Sequence, residues 1–119
     1  MKLFLFGGAE IQLGQFIPQL ELIEKVILEI KPKQILHIPF ARTKAKEIER
    51  ELGRFTKNIH LDGIEYLNAT NEEDIVKAEN PLIFISGGGE NMNLVHKIQE
   101  NPTLRNLVQH AEYIIGESA

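Results

Sequence analysis

The sequence contains no cysteine, no long apolar run and no cluster of positive charge. Without cysteine, disulfide bonds, thiolate zinc sites and cysteine nucleophiles are excluded. The first apolar run, from Leu3 to Phe6, ends at the glycine pair Gly7-Gly8. It is too short for the apolar core of a signal peptide or for a membrane span. We therefore predict a cytoplasmic protein with no membrane partner.

Charge of either sign is modest, with a formal net charge of −4 and an isoelectric point near 5.6. The thirteen Lys and Arg residues are scattered along the chain, whereas nucleic-acid-binding domains cluster them on one face. We predict no nucleic-acid partner. The 119 residues carry no repeat or linker and suffice for one domain with its own core. The prediction is a single α/β domain, residues 1–119.

Short apolar runs alternate with amphipathic segments along the whole chain. The patterns predict strands at 3–6, 34–40, 82–85 and 113–115, a further strand within 58–67, and helices at 18–30, 43–52, 71–78, 92–98 and 102–108. The first strand is expected to be buried on both faces because it is continuously apolar. Thr43 is the expected cap of the second helix, and Gly53 its end. Five alternations of strand and helix predict a doubly wound parallel sheet with helices on both faces.

Residues of unusual chemistry follow the predicted strands. Ligands of open α/β sheets bind beyond the carboxyl ends of the strands. Those ends are Gly7-Gly8-Ala9-Glu10, Pro39-Phe40-Ala41-Arg42, Ser86-Gly87-Gly88-Gly89-Glu90-Asn91 and Gly116-Glu117-Ser118-Ala119. Because these ends share one edge of a parallel sheet, the functional site is predicted there.

Three consecutive glycines, Gly87-Gly88-Gly89, join the fourth strand to the next helix. Glycines allow positive φ and expose backbone N–H groups, so this loop is a candidate anion cradle or oxyanion donor. A tight turn without a ligand remains an alternative. No Lys-Ser or Lys-Thr pair follows the glycines, and no later glycine opens the helix. The loop therefore matches neither a phosphate-binding loop of the GxxxxGK[ST] kind nor a dinucleotide fingerprint.

Ser118 follows an apolar strand within Gly116-Glu117-Ser118-Ala119, as the nucleophile of a strand-to-helix turn does. The alternative is a polar residue at a chain end. Arg42 is a candidate partner for a substrate carboxylate, or else a solvated loop arginine. The four histidines have no metal-ligand spacing, and His37 lies in an apolar strand, where we expect it to pack in the core. No histidine stands at a strand end, so no catalytic base is assigned.

Three of these stretches occur in an order and approximate spacing that resemble a known family. They are Ile38-Pro39-Phe40-Ala41, Ile85-Ser86-Gly87-Gly88-Gly89 and Ile114-Ile115-Gly116-Glu117-Ser118-Ala119. Over essentially its whole length the chain resembles the N-terminal portion of peptidase E (aspartyl dipeptidase) and of cyanophycinase-like serine peptidases. The resemblance implies a flavodoxin-like sheet related to class I glutamine amidotransferases. It also implies hydrolysis of short peptides, Asp-containing dipeptides among them, without metal or cofactor.

Carried over by position, the resemblance implies Ser118 as the nucleophile of a G-x-S-A elbow. The backbone N–H groups of Gly89 and Ala119 would form the oxyanion hole. The candidate substrate-binding residues are Gly88, Glu90, Asn91 and Arg42. One departure is that the family has asparagine directly after the three glycines, where this chain has Glu90, with Asn91 one place later.

In the family the catalytic histidine and its acidic partner lie beyond position 119. We therefore expect this polypeptide by itself to be inactive, as a fragment or truncated product of a longer peptidase, and whether it is itself an enzyme stays open. One alternative is a non-catalytic flavodoxin-like module that binds a small ligand or anion. Another is a truncated fragment whose last strand lacks a covering helix, for which we predict a homodimer or larger species.

Overall fold

The structure, a computed structural model, describes residues 1–6 and 16–117, with side chains described for 1–6 and from residue 19 onward. Strands and helices alternate along these ranges. The elements are β1 (Lys2–Phe6), α1 (Phe16–Ile30), β2 (Gln34–Ile38), α2 (Ala45–Asn58), β3 (Glu65–Asn68), α3 (Glu72–Lys77), β4 (Leu82–Ile85), α4 (Asn91–Glu100), α5 (Pro102–Gln109) and β5 (Tyr113–Glu117).

The five described strands form one sheet in the order β1-β5-β4-β2-β3, and every neighbouring pair is parallel. Parallel neighbours need a crossover connection, which the helices supply. The predicted doubly wound, flavodoxin-like α/β fold is confirmed. None of the described helices combines the length and the apolar character needed to cross a bilayer.

Helices cover the two faces of the sheet and create two cores. Leu20, Ile23 and Ile27 of α1 are buried with Phe55 of α2 against one face. Their spacing of three and four residues places them on one side of the helix. The other face is covered by α3, α4 and α5, with Ile75 and Leu104 as fully buried anchors. Each such side chain stabilises the fold by about 1.5–3 kcal/mol.

β2 and β4 are neighbours in the sheet, but the helices that follow them cover opposite faces. The helix after β2 is α2, which packs in the first core, whereas α4 follows β4 and packs in the second. The connections therefore leave these adjacent strands on opposite sides of the sheet. Such a topological switch point opens a crevice at the carboxyl ends, where ligands of this fold bind.

Some sequence-based expectations were wrong. β1 is an edge strand next to β5 alone, and Leu3 and Leu5 are 56% and 74% exposed, so it is not buried on both faces. The apolar run could not reveal this because strand order depends on tertiary pairing. Helix α2 is capped at Lys44 without a side-chain hydrogen bond, rather than at Thr43, and it continues past Gly53 to Asn58.

Candidate active site

The candidate site lies where β2 and β4 end side by side. Ile38 is in register with Ile85, so the segments that follow them, 39–44 and 86–90, leave the same edge of the sheet. Two hydrogen bonds fasten the second segment: Ser86 N–H donates to the carbonyl of Ile38, the last residue of β2, at 3.3 Å, and Glu90 N–H donates to that of Ala41 at 2.9 Å. The glycine loop is therefore attached at both of its ends.

The glycine loop has a backbone conformation that residues other than glycine rarely adopt. Gly87 has a φ of 87° and Gly89 a φ of 117°, both in the region that favours glycine. Gly88 is buried, whereas Gly89 is exposed. Within the described ranges, no carbonyl or side chain accepts a hydrogen bond from the N–H of Gly89. An exposed donor of this kind suits an oxyanion.

Arg42 lies alongside the glycine loop. A Cβ atom built on Gly87 would be 3.5 Å from Nε of Arg42, and one built on Gly89 would be 3.7 Å from its Nη1. The side chain of Arg42 is 31% exposed, and its Nε is 3.9 Å from Oε1 of Glu51. The guanidinium is thus held next to the loop and still reaches solvent, as a carboxylate-binding group must.

A cleft of about 410 Å³ opens beside Arg42. Phe40 and Thr43 from the loop after β2, and Asn93 and Lys97 from α4, contribute to its lining. The amide of Asn93 donates to the carbonyl of Phe40 at 2.8 Å, which fastens α4 to this loop. The lining mixes apolar surface with amides and with charges of both signs, since Glu72 and Glu100 also contribute to it. Such a composition suits a short polar ligand.

A serine and a histidine meet below the loop, but they are sealed in the core. Nε2 of His37 is 2.5 Å from Oγ of Ser86, and Nδ1 of His37 is 2.7 Å from the hydroxyl of Tyr66. Both His37 and Ser86 are 0% exposed, and Phe55 and Phe84 pack against the imidazole. A substrate cannot reach Ser86, so this pair is structural. The expectation that His37 packs in the core is confirmed.

Burial sets the protonation of these groups. It lowers the pKa of His37 to about 3, with the positive charge of Arg54 as a second cause. Burial also raises the pKa of Tyr66 above its ordinary value, so its hydroxyl stays protonated. His37 is therefore neutral at physiological pH, and both ring nitrogens already have partners.

The other three histidines lie away from the glycine loop. His60 follows α2 and pairs with Glu24, with 3.0 Å between Nδ1 and the carboxylate. His110 follows α5, and its ring contacts the carbonyl of Asn106 at 3.0 Å. His96 is exposed in α4. None of the three belongs to the segments that follow β2 and β4.

An ion-pair cluster underlies the carboxyl end of β5. Glu117, the last residue of β5, has a side chain 5% exposed and forms an ion pair with Arg54 of α2, whose side chain is 9% exposed. Gln19 donates to the same carboxylate at 2.7 Å. Arg54 also contacts Glu51 at 3.2 Å. Sequence reasoning placed Glu117 at the functional edge but missed Arg54. A carboxylate at the end of a buried strand needs a cationic partner, and this need was the available signal for such a residue.

The structure brings some predicted site residues together and leaves others outside its description. Arg42, Gly88 and Gly89 adjoin one another, Glu90 immediately precedes α4, and Asn91 is its first residue. Ser118 and Ala119, like 7–10, lie outside the described residues. Within the described part, no three His, Asp or Glu side chains converge as metal ligands.

The doubly wound parallel sheet and the glycine loop at its switch point define the class as a flavodoxin-like α/β protein with a site at the carboxyl edge. A comparison with protein-family models matches residues 3–119 to peptidase family S51. The chain belongs to this family, and the resemblance to peptidase E and cyanophycinase-like enzymes is confirmed. A search of curated proteins found no match.

Proposed function

We infer that the protein acts as a serine-type peptidase on short peptides, with Ser118 as its nucleophile. Family membership supports serine peptidase chemistry in general. The backbone N–H groups of Gly89 and Ala119 form the oxyanion hole in this proposal. Each such donor typically contributes about 3 kcal/mol of transition-state stabilisation.

The observation that carries this proposal is the register of β4 and β5. Ile85 pairs with Gly116, so the loop that follows β4 leaves the sheet next to the end of β5. Gly89 belongs to the loop after β4, and Ser118 follows the last residue of the neighbouring β5 in the sequence. A nucleophile with an oxyanion donor on the neighbouring strand end is the arrangement that acyl transfer requires.

The proposed reaction uses these groups in sequence. The hydroxyl of Ser118 loses its proton to a base and attacks the peptide carbonyl carbon, while the carbonyl oxygen accepts hydrogen bonds from Gly89 and Ala119. The C–N bond then breaks, the amine leaves with the proton, and water hydrolyses the acyl-enzyme. Arg42 binds a substrate carboxylate from the adjacent cleft, which favours short peptides over long chains.

The base of this mechanism is not identified among the residues that the structure describes. His37 is sealed and hydrogen-bonded at both ring nitrogens. His60 and His110 have partners of their own, and His96 is exposed on α4. We therefore expect the isolated 119-residue polypeptide to hydrolyse peptides poorly. Loss of a triad residue costs on the order of 10⁴-fold to 10⁶-fold in rate, with a residue of catalysis left from the oxyanion hole.

The two serines of the chain, Ser86 and Ser118, allow a matched test in the complete gene product. Ser118→Ala should abolish hydrolysis of a short-peptide library. Ser86→Ala should retain most of it, because Ser86 is buried beneath the loop. Activity that survives Ser118→Ala, in a variant with the circular dichroism of the wild type, would refute Ser118 as the nucleophile.

A non-catalytic anion-binding module remains the second candidate. The observation in its favour is that the guanidinium of Arg42 lies against Gly87 and Gly89 and also lines the cleft. Thermal-shift measurements with phosphate, nucleotides, flavins and acidic dipeptides separate the two functions. Stabilisation by phosphate ligands but not by dipeptides would favour the binding module over the peptidase.

A further inference from the structure

We propose that Arg54 is a positioning residue for the nucleophile, acting through Glu117, the residue that precedes Ser118. Its role would be to fix the end of β5 against α1 and α2. This inference rests on the proposed function of Ser118 and concerns residues to which the family match assigns no role.

The first step is the direction in which Glu117 points. Side chains alternate along a strand, and Ile115, two residues earlier, belongs to the core beneath α1 and α2. Glu117 continues on that face, with only 5% of its side chain exposed. A carboxylate in such a place is strongly unfavourable unless a cation and hydrogen bonds compensate it.

The second step is how that carboxylate is held. Both of its oxygens are contacted by Arg54, one by Nη1 at 3.2 Å and the other by Nη2. Gln19 of α1 donates a third hydrogen bond at 2.7 Å. A bidentate guanidinium fixes the plane of a carboxylate as well as its distance. Two helices therefore hold the side chain of Glu117 in one orientation.

The third step links this pair to the glycine loop. Arg54 also contacts Glu51 at 3.2 Å, and Glu51 lies 3.9 Å from Nε of Arg42. Arg42 in turn lies against Gly87 and Gly89. Charges of alternating sign thus run from the loop that supplies one oxyanion donor to the residue before the nucleophile.

This arrangement gives Arg54 a function beyond stability. The covalent bond between Glu117 and Ser118 means that a fixed Glu117 restricts the backbone that enters the nucleophile turn. Small displacements of a reacting atom reduce rates by up to about 100-fold. Disrupting the ion pair should accordingly slow the reaction of Ser118 more than it weakens peptide binding.

The experiment compares fluorophosphonate labelling rates of Ser118 in the complete gene product. Glu117→Gln keeps the size of the side chain and should slow labelling by roughly 10-fold, and Arg54→Met by roughly 10-fold to 100-fold. Arg54→Lys keeps the positive charge but cannot contact both carboxylate oxygens as the guanidinium does, so Ser118 in this variant should also be labelled slowly. In peptide hydrolysis, these substitutions should lower kcat and leave KM little changed.

Two control variants separate positioning from stability. Ile27→Val loosens the same core beneath α1 without touching the ion pair, and Lys77→Met removes the exposed pair between Lys77 and Glu65. Both should label at the wild-type rate even where the thermal midpoint falls. For each variant, the loss in labelling rate is compared with the loss in stability. If this ratio is the same for Ile27→Val as for Glu117→Gln, Arg54 is only structural.

The outcomes for the two proposals are distinct. A wild-type protein that is not labelled at Ser118 refutes the proposed function, and the positioning role with it. A wild-type protein that is labelled, together with folded Glu117→Gln that is labelled equally fast, refutes the positioning role alone. Glu117→Gln decides the matter if Arg54→Met fails to fold.

Discussion

Acidification should destabilise the protein through His37, well before most carboxylates titrate. Burial lowers the pKa of His37 from 6.5 to about 3, so the unfolded chain binds a proton between these values and the folded chain does not. Its contribution to stability is therefore complete above pH 6.5 and falls as pH decreases toward 3. Each pH unit in this window costs about 1.4 kcal/mol. Between pH 7 and pH 5, the loss should be about 2 kcal/mol.

Chemical denaturation at pH 7 and pH 5 measures this loss, and His37→Gln is the control. Glutamine cannot titrate but can still hydrogen-bond to Ser86 or Tyr66, so the variant should be less stable at pH 7 and lose less on acidification. Glu24 and Glu65 have lowered pKa values and also contribute at low pH, but equally in both proteins. Parallel pH dependences for wild type and His37→Gln would refute the reasoning.

Two further predictions follow from the loop and from the edge strand. Because Gly89 has a φ of 117°, Gly89→Ala should lower the free energy of unfolding by roughly 1–3 kcal/mol in chemical denaturation and should slow peptide hydrolysis. Gly53→Ala, at an open position within α2, should instead raise the free energy of unfolding by about 0.5–1 kcal/mol. Equal effects of the two substitutions would contradict this account of the loop. Leu3 and Leu5 are exposed on β1, so light scattering of the 119-residue polypeptide should show a dimer or larger species. Leu5→Lys should reduce the fraction of protein in that species. A monomeric wild-type protein would contradict the prediction.

The sequence predicts the strands and helices well where local patterns decide them. The run Leu82–Ile85 before three glycines, and Pro102 after Asn101, are strong local signals, and both appear as expected in β4 and α5. Strand order is not local. β1 has the same apolar pattern as β4 but lies at the edge of the sheet, where it pairs with β5 from the other end of the chain.

The candidate site was predictable in its location and only partly in its contacts. The alternation of strands and helices predicts that Arg42 and Gly89 lie at the same edge of the sheet. Their contact depends on β2 and β4 being neighbours, which the alternation does not specify. The ion pair between Arg54 and Glu117 joins residues 63 positions apart, and the contact of His37 with Ser86 joins β2 to the residue after β4. Neither has a local signature, because each depends on which strands are neighbours and which helix covers them.

The most direct test of the central claim is to map the fluorophosphonate adduct by mass spectrometry in the complete gene product. The chain offers two serine hydroxyls, the buried one at Ser86 beside His37 and the one at Ser118. We expect the adduct on Ser118, with none on Ser86 and none in Ser118→Ala. An adduct on Ser86, or no adduct in a folded protein that hydrolyses peptides, would contradict the account.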